Sequence, residues 1–145
     1  MNLNELRDKA YRNAVTHGFH DEELSNEHCL CLVISELMEA VKADRKGRFA
    51  KVPVDKKGTI FDERTFHYQN KYFAENFETY IKDCVEDELA DACIRLLDLA
   101  GLRNISIDDF SGEMIYEATE SCNNETFTES IYAISTIPIR CEYGI

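Results

Sequence analysis

Apolar residues along the chain recur mostly at helical spacing. Between Val85 and Ala100 they fall at positions i, i+4, i+7, i+11 and i+14, which lie on one side of an α-helix. Further apolar residues widen this side, and one narrow polar row remains. The row consists of Glu88, Asp91, Arg95 and Asp98. A helix that is apolar over most of its circumference is usually buried. The pattern therefore predicts a buried helix that carries a polar row.

The segment from Cys29 to Ala43 repeats this design. It begins with six apolar residues in succession, and Glu36 and Glu39 follow among further apolar positions. Glu36 and Glu39 are three residues apart, as are Glu88 and Asp91, and side chains at this spacing are neighbours on a helix. Two mostly buried helices are therefore predicted, each carrying a pair of carboxylates.

The rest of the chain also favours helices over a β-fold, because it contains only two prolines and six glycines. The predicted helices span 3–16, 25–44, 72–100, 108–121 and 125–136. Gly18 and Gly101 are expected to end the first and third helices, and Pro138 the last. The chain is interpreted as one all-α domain over residues 1–145, with a core at 3–102, an insertion at 45–70 and C-terminal helices at 108–137. The C-terminal helices are expected to cover the core or to form a subunit contact.

The insertion begins with a basic stretch at residues 42–57, which has seven Lys or Arg against two Asp. Its glycines and proline favour a loop or short hairpin, with a strand remnant at 59–61. Two interpretations are open: a solvated basic loop, or a lid whose Arg45, Lys46 and Arg48 supply cations to a triphosphate. The aromatic residues that follow, between 61 and 80, are expected to pack the insertion against the helices, and one or two could stack on a nucleobase.

Charge and composition limit the kinds of partner and the cellular location that are expected. The net charge of −12 disfavours nonspecific binding of nucleic acid, which depends on Lys and Arg. No apolar stretch reaches the 18 residues of a membrane span, and the N-terminal residues lack the apolar run of a signal peptide. A cytoplasmic protein without membrane contact is expected. The six cysteines show no CxxC spacing and are expected to be reduced, buried thiols.

The two acidic pairs are the candidate chemistry of the chain. Either pair alone could lie on a solvated helix face. Both pairs, however, lie within apolar sectors, and an unpaired charge in a core is very costly. A hard divalent cation such as Mg²⁺, or Mn²⁺, removes this cost because it takes oxygen ligands and bridges carboxylates to phosphates. The pattern favours a carboxylate metal site.

The paired motif, Glu36-Leu-Met-Glu39 followed by Glu88-Leu-Ala-Asp91, resembles the ExxE and ExxD signature of the MazG-like, all-α nucleoside triphosphate pyrophosphohydrolases. The resemblance covers roughly residues 3–102, and the gap between the two motifs is longer than in compact members. It implies Mg²⁺-dependent hydrolysis of a ribo- or deoxynucleoside triphosphate to the monophosphate and pyrophosphate. We expect deoxynucleotides as substrates, and the sequence does not identify the base. It also implies that the four acids bind metal and that the active form is a homodimer or homotetramer.

Several residues near the motif have expected roles in this reaction, and for most of them a second interpretation is open. Glu39, or else Glu36, is expected to act as general base. Asp98 could contact a metal or a sugar hydroxyl, and Arg95 could bind phosphate or form an ion pair with Asp91 or Asp98. His28 could touch a base or a phosphate, or could instead be a capping or core histidine.

Three other protein classes share some of these features. The His20-Asp21 dipeptide is typical of HD phosphohydrolases, but the other histidines show no supporting pattern, so a loop is expected there. A di-iron bundle needs Glu-x-x-His pairs, and the sequence has none. A non-catalytic helical protein that binds metal or nucleotide remains an alternative, and binding without hydrolysis would identify it.

Overall fold

A computed structural model describes residues 2–55, 58–59, 71–107 and 112–143. In this part the chain is all-α, as expected, apart from a pair of two-residue strands. The elements are α1 (Leu3–Thr16), α2 (Asn26–Arg45), β1 (Val54–Asp55), β2 (Gly58–Thr59), α3 (Lys71–Tyr80), α4 (Val85–Leu102), α5 (Gly112–Glu120) and α6 (Phe127–Tyr143). The strands pair antiparallel, with Val54 opposite Thr59, which agrees with the expected short hairpin. None of the described helices is both long enough and apolar enough to span a membrane.

The two helices that carry the acidic pairs form the centre of the fold. α2 packs along α4, α1 covers a second side of α4, and α6 packs on α2. Val33 and Leu37 of α2, Ala92 of α4 and Ile131 of α6 form a buried cluster. Val33, Leu37 and Ala92 lie within the predicted apolar sectors of α2 and α4. The prediction that both helices are mostly buried is only partly confirmed, because Met38, Ile94 and Leu96 of the same sectors are exposed.

Glycines with positive φ end the first two helices. At Gly18 (φ 76°) the amide of Phe19 donates to the carbonyl of Ala14, and at Gly47 (φ 64°) the amide of Arg48 donates to that of Ala43. Both ends are Schellman motifs, in which a residue in the left-handed region lets the last carbonyls find partners. The predicted end of α1 at Gly18 is confirmed.

The predicted extent of the third helix is wrong, because two helices occupy the region that was expected to form one. The chain leaves the helical path after Tyr80, and Asp83 adopts φ 55° before α4 begins. The amide of Asp83 donates to the Asp87 carboxylate at 2.9 Å, and the amide of Val85 donates to the carbonyl of Arg48 at 3.0 Å. Aspartate tolerates the left-handed region better than most residues. The break therefore has local partners that helical periodicity does not reveal.

Gly101 does not end the helix as expected. α4 continues to Leu102, and Asn104 (φ 53°) supplies the left-handed residue of the C-cap. A Cβ atom at Gly101 would lie 2.5 Å from Cβ of Tyr11, which is closer than two carbon atoms can approach. Gly101 is therefore required for the close approach of α1 and α4.

The C-terminal region also departs from expectation. α6 continues through Pro138 to Tyr143, so the predicted end near the proline is wrong. A proline removes one helical hydrogen bond, but it can bend a helix without ending it. The predicted start of the first C-terminal helix at residue 108 lies outside the described residues. α5 exposes Met114, Ile115 and Tyr116.

The cysteines with described side chains are free thiols, but they are not all buried. Cys29, Cys84 and Cys122 are buried, whereas Cys31 and Cys93 are exposed. The expectation of burial is wrong for the last two because they lie on sides of α2 and α4 that a single chain leaves uncovered. The side chain of the sixth cysteine lies outside the described residues.

Candidate metal centre

Three of the four predicted acids converge between α2 and α4. One carboxylate oxygen each from Glu36, Glu88 and Asp91 lie within 4.8 Å of one another. Glu88 is only 9% exposed, Glu36 is half-buried, and Asp91 is exposed. The apolar packing of α2 on α4 aligns the polar rows of both helices, which brings side chains 52 or more residues apart in sequence into one cluster.

The electrostatics of this cluster are those of crowded acids. Burial raises the pKa of Glu88, and the nearby Asp87, Glu36 and Asp91 carboxylates raise it further. The pKa of Asp91 is also raised, first by burial and then by Asp87 and Glu36, although Arg95 partly opposes this. Both shifts mean that burial, and then the neighbouring acids, disfavour the charged form of these carboxylates.

The one cation hydrogen-bonded to this cluster, among the described residues, is Arg95. Its Nε donates to Glu36 Oε1 at 2.6 Å across the interface between α4 and α2. This ion pair replaces the expected pairing of Arg95 with Asp91 or Asp98. The periodicity of α4 alone pointed to partners on the same helix, whereas the contact with α2 offers a nearer carboxylate.

Glu39 does not join the other three acids. Its carboxylate accepts from Lys42 Nζ at 2.7 Å, and both side chains are exposed. Such exposed pairs contribute little to the stability of a fold, so this contact is easily exchanged for another. Glu39 nevertheless lines a cavity together with Glu88, which keeps it beside the cluster.

This cavity, of about 170 Å³, is lined by three cations and by the three acids Glu39, Asp83 and Glu88, and we call it the basic cavity after its cations. Its cations are Lys42, Lys46 and Arg48. Two of the three expected lid residues, Lys46 and Arg48, thus lie next to the acids, while Arg45 is exposed and does not line the cavity.

The start of the proposed lid is attached to the α3–α4 junction. The amide of Ala50 donates to Glu86 Oε2 at 2.9 Å, which lowers the pKa of Glu86, and Arg48 Nη2 lies 3.5 Å from Asp83 Oδ2. The basic stretch continues into β1 and β2, whereas residues 56–57 and 60–70 lie outside the described residues.

Sequence reasoning did not identify His20 as a site residue. His20 Nε2 lies 2.8 Å from Asp98 Oδ1, and its ring packs 5.4 Å from that of Tyr11. Its Nδ1 is buried and has no hydrogen-bond partner among the described residues. Such a group costs about 1–3 kcal/mol, so stability alone does not account for the arrangement. The signal in the sequence was Asp98, a charged residue on a buried helix that required a partner from another element.

Two further cavities adjoin Arg95 and Asp98. The larger, of about 370 Å³, also includes Phe19, His20 and the predicted site residue His28. The smaller, of about 180 Å³, includes Asp91 and therefore reaches the acidic cluster. Arg95 and Asp98 thus lie between the cluster and the larger cavity.

The donor set fits a hard divalent cation. Mg²⁺ binds oxygen at about 2.0–2.1 Å, so that opposite ligands are about 4.2 Å apart. Adjacent ligands of the same ion are about 3 Å apart, so side-chain rotations would have to bring the Glu36, Glu88 and Asp91 oxygens, which now lie within 4.8 Å of one another, closer together. Three carboxylates do not by themselves distinguish Mg²⁺ from Mn²⁺ or Ca²⁺.

No protein-family model, curated protein or solved structure matches this chain. Conclusions about its function therefore depend on the residues of the site.

Proposed function

We propose that the protein is a Mg²⁺-dependent nucleoside triphosphate pyrophosphohydrolase, as its resemblance to the MazG-like family implies. The observation that carries the proposal is the meeting of Glu36, Glu88 and Asp91 between two core helices. The raised pKa values of Glu88 and Asp91 support it, because a bound cation would compensate the charges that the protein leaves uncompensated.

The acids would hold the ion, and a bound ion would neutralise phosphate charge and lower the pKa of a coordinated water. Glu39 is the candidate general base. It lies beside Glu88 on the same cavity, and its exposed contact with Lys42 leaves it able to accept a proton from the attacking water. In the proposed reaction water adds to the α-phosphorus, the bond to the β-phosphate oxygen breaks, and pyrophosphate leaves.

The basic cavity supports a polyphosphate substrate. Lys42, Lys46 and Arg48 line it within a chain whose net charge is −12. Lys42 and Arg48 form ion pairs with Glu39 and Asp83 of the same lining, and bound phosphates would compete for these two cations. Because Glu88 belongs to both this cavity and the acidic cluster, phosphates bound by these cations would lie next to the proposed metal. Charge-assisted hydrogen bonds from Lys and Arg are suited to phosphate oxygens.

The proposal includes a homodimer or homotetramer located in the cytoplasm. Met38, Ile94 and Leu96 are exposed on α2 and α4, and a second chain would cover apolar positions of this kind. Light scattering coupled to size-exclusion chromatography would measure the mass, and a monomer would contradict this part of the proposal.

The reaction is tested by product analysis over a panel of ribo- and deoxynucleoside triphosphates, with Mg²⁺ or with EDTA. We expect monophosphate and pyrophosphate only with Mg²⁺, with activity lost in Glu88→Gln. Glu117→Gln on α5 is the matched control, because it makes the same chemical change at an exposed position. Release of orthophosphate would indicate a different phosphohydrolase. Metal binding without turnover would favour the non-catalytic alternative, and a wild-type protein that binds no divalent cation would overturn the proposal.

A further inference from the structure

We infer that the cavity of about 370 Å³ beside Arg95 and Asp98 binds the nucleoside part of the substrate. This inference rests on the proposed function and adds a location and a recognition chemistry to it. We call this space the nucleoside cavity. It lies between the loop that precedes α2, the first half of α2, and the second half of α4.

The size and lining of the nucleoside cavity suit a small aromatic ligand. Pockets for small molecules usually measure about 300–1,000 Å³, a range that includes this cavity and not the basic cavity of about 170 Å³. Leu24 and Leu32 supply apolar wall, and the exposed ring of Phe19 is available to stack on a base. His28 and Asp98 add a few polar groups, which is the usual composition of a specific pocket.

The position of the nucleoside cavity gives the substrate a direction. Along α4, Glu88 adjoins the basic cavity, Asp91 belongs to the acidic cluster, and Asp98 lies about 10 Å beyond Asp91 on the nucleoside cavity. Arg95 lines that cavity and also donates to Glu36 of the cluster. A nucleotide with its nucleoside at Asp98 would therefore direct its phosphates past Arg95 towards the acids and the basic cavity.

Asp98 determines which ligand groups are accepted. One of its oxygens, Oδ1, accepts from His20, and a carboxylate has acceptor capacity for further donors. The ligand must therefore present an O–H or N–H group to Asp98, from either the sugar or the base edge. His20 acts through Asp98 as a positioning residue, and Tyr11 packs against its ring.

The first test fills the cavity. The test compares the wild-type protein with Leu32→Trp and Ser35→Trp. Each protein is titrated separately with nucleoside monophosphates and inorganic pyrophosphate, followed by calorimetry, and with Mn²⁺, followed by electron paramagnetic resonance. Ser35 is the control because it is exposed on the same helix, three residues away. We expect Leu32→Trp to weaken monophosphate binding about tenfold or more while pyrophosphate and Mn²⁺ binding stay unchanged. Unchanged monophosphate binding would overturn the inference.

The second test changes the recognition chemistry without filling space. Monophosphates with ribose, 2′-deoxyribose and 2′,3′-dideoxyribose, each with different bases, are compared in wild type, Asp98→Asn, His20→Phe and His20→Gln. We expect Asp98→Asn and His20→Phe to reduce the preference for ligands that carry the recognised donor, and His20→Gln to retain it because Gln can still donate to Asp98. One ligand that lacks a donor group should bind the wild type as weakly as the intact ligand binds Asp98→Asn. The missing group of that ligand is then the donor that Asp98 recognises, and its position shows whether it belongs to the sugar or to the base. A preference that none of these variants changes would contradict the role of Asp98.

The two tests separate this inference from the proposed reaction. If triphosphates are hydrolysed and both sets of variants bind monophosphates as wild type does, the reaction stands and the nucleoside cavity is refuted. If the variants lose monophosphate binding but no triphosphate is hydrolysed, the cavity stands and the reaction is refuted. If Leu32→Trp also loses Mn²⁺ binding, its fold is disturbed and the Asp98→Asn comparison decides.

Discussion

Replacing Glu88 by Gln is expected to stabilise the protein in the absence of metal while it weakens the binding of divalent cations. Glu88 is 9% exposed, and its carboxylate oxygen lies within 4.8 Å of those of Glu36 and Asp91. Gln has nearly the same shape but carries no charge. The substitution therefore removes repulsion at little cost in packing, and it also removes a metal ligand.

The size of the stabilisation follows from the spacing of the charges. Two unit charges 4.8 Å apart repel by about 3.5 kcal/mol at an effective dielectric constant of about 20, and by about 1 kcal/mol in water. The exposure of Asp91 and the ion pair between Arg95 and Glu36 reduce the repulsion felt by Glu88. A gain of about 1–2 kcal/mol in the free energy of unfolding is expected, or about 3–6 °C in Tm for a chain of this length.

The same reasoning fixes the sign of the pH dependence. The folded protein raises the pKa of Glu88 and Asp91, so between the ordinary carboxyl pKa and the raised values it binds more protons than the unfolded chain does. Their contribution to the stability of the metal-free protein is therefore greatest at acidic pH and is lost as the pH rises through the raised pKa values. In Glu88→Gln this loss should be smaller.

Thermal unfolding followed by circular dichroism, with EDTA and with Mg²⁺ or Mn²⁺, provides the measurement. A cation at 100 times its Kd should stabilise the wild type by about 2.7 kcal/mol and Glu88→Gln by much less, so the order of stability should reverse. Glu117→Gln should behave as wild type in both conditions. The reasoning would be refuted if Glu88→Gln were less stable than the wild type in EDTA at neutral pH, because the Glu88 charge would then be compensated within the protein.

Two further predictions concern the packing. Gly101→Ala should lower the free energy of unfolding by about 1–3 kcal/mol, because the added Cβ would collide with Tyr11. Gly112→Ala is the control: its Cβ would meet no atom within 4 Å, so it should be neutral or slightly stabilising. Chemical denaturation measures both variants. Equal effects of the two would contradict the close approach. Cys31 and Cys93 should react with a thiol reagent in the folded monomer, whereas the three buried cysteines should react only on unfolding, as peptide mapping would show. Protection of Cys31 and Cys93 that disappears on dilution would instead place them in a subunit contact.

Helical periodicity predicted the central part of this fold well. The apolar sectors of α2 and α4 include the residues through which the helices pack, and the acids within those sectors were consequently expected near each other. The sectors were wider than the contact, since Met38, Ile94 and Leu96 are exposed. The structure brings Glu36, Glu88 and Asp91 together. Glu39 differs because it lies one turn further along α2, where its side chain reaches Lys42. Periodicity assigns a side of a helix, but it does not decide which of two available partners a flexible side chain contacts.

Features that depend on contacts between elements were not predictable in this way. His20 lies in the loop between α1 and α2, as expected, but its contact with Asp98, 78 positions away, was not predicted. A glycine at position 101 suggested the end of a helix, and only the position of Tyr11 shows why a glycine lies inside α4. In both cases the determining partner comes from another element, so a pattern read along one segment lacks the necessary information.

The ion pair between Arg95 and Glu36 has a consequence for the order in which ligands bind. The guanidinium holds an oxygen of one proposed metal ligand and also lines the nucleoside cavity. A ligand that draws Arg95 towards the cavity releases that oxygen for a cation, and a cation that takes Glu36 releases Arg95 for the ligand. By thermodynamic reciprocity each must raise the affinity of the other by the same factor. Arg95 would thus make the two binding events cooperative, and cation affinity measured without nucleotide would fall below its value in the ternary complex.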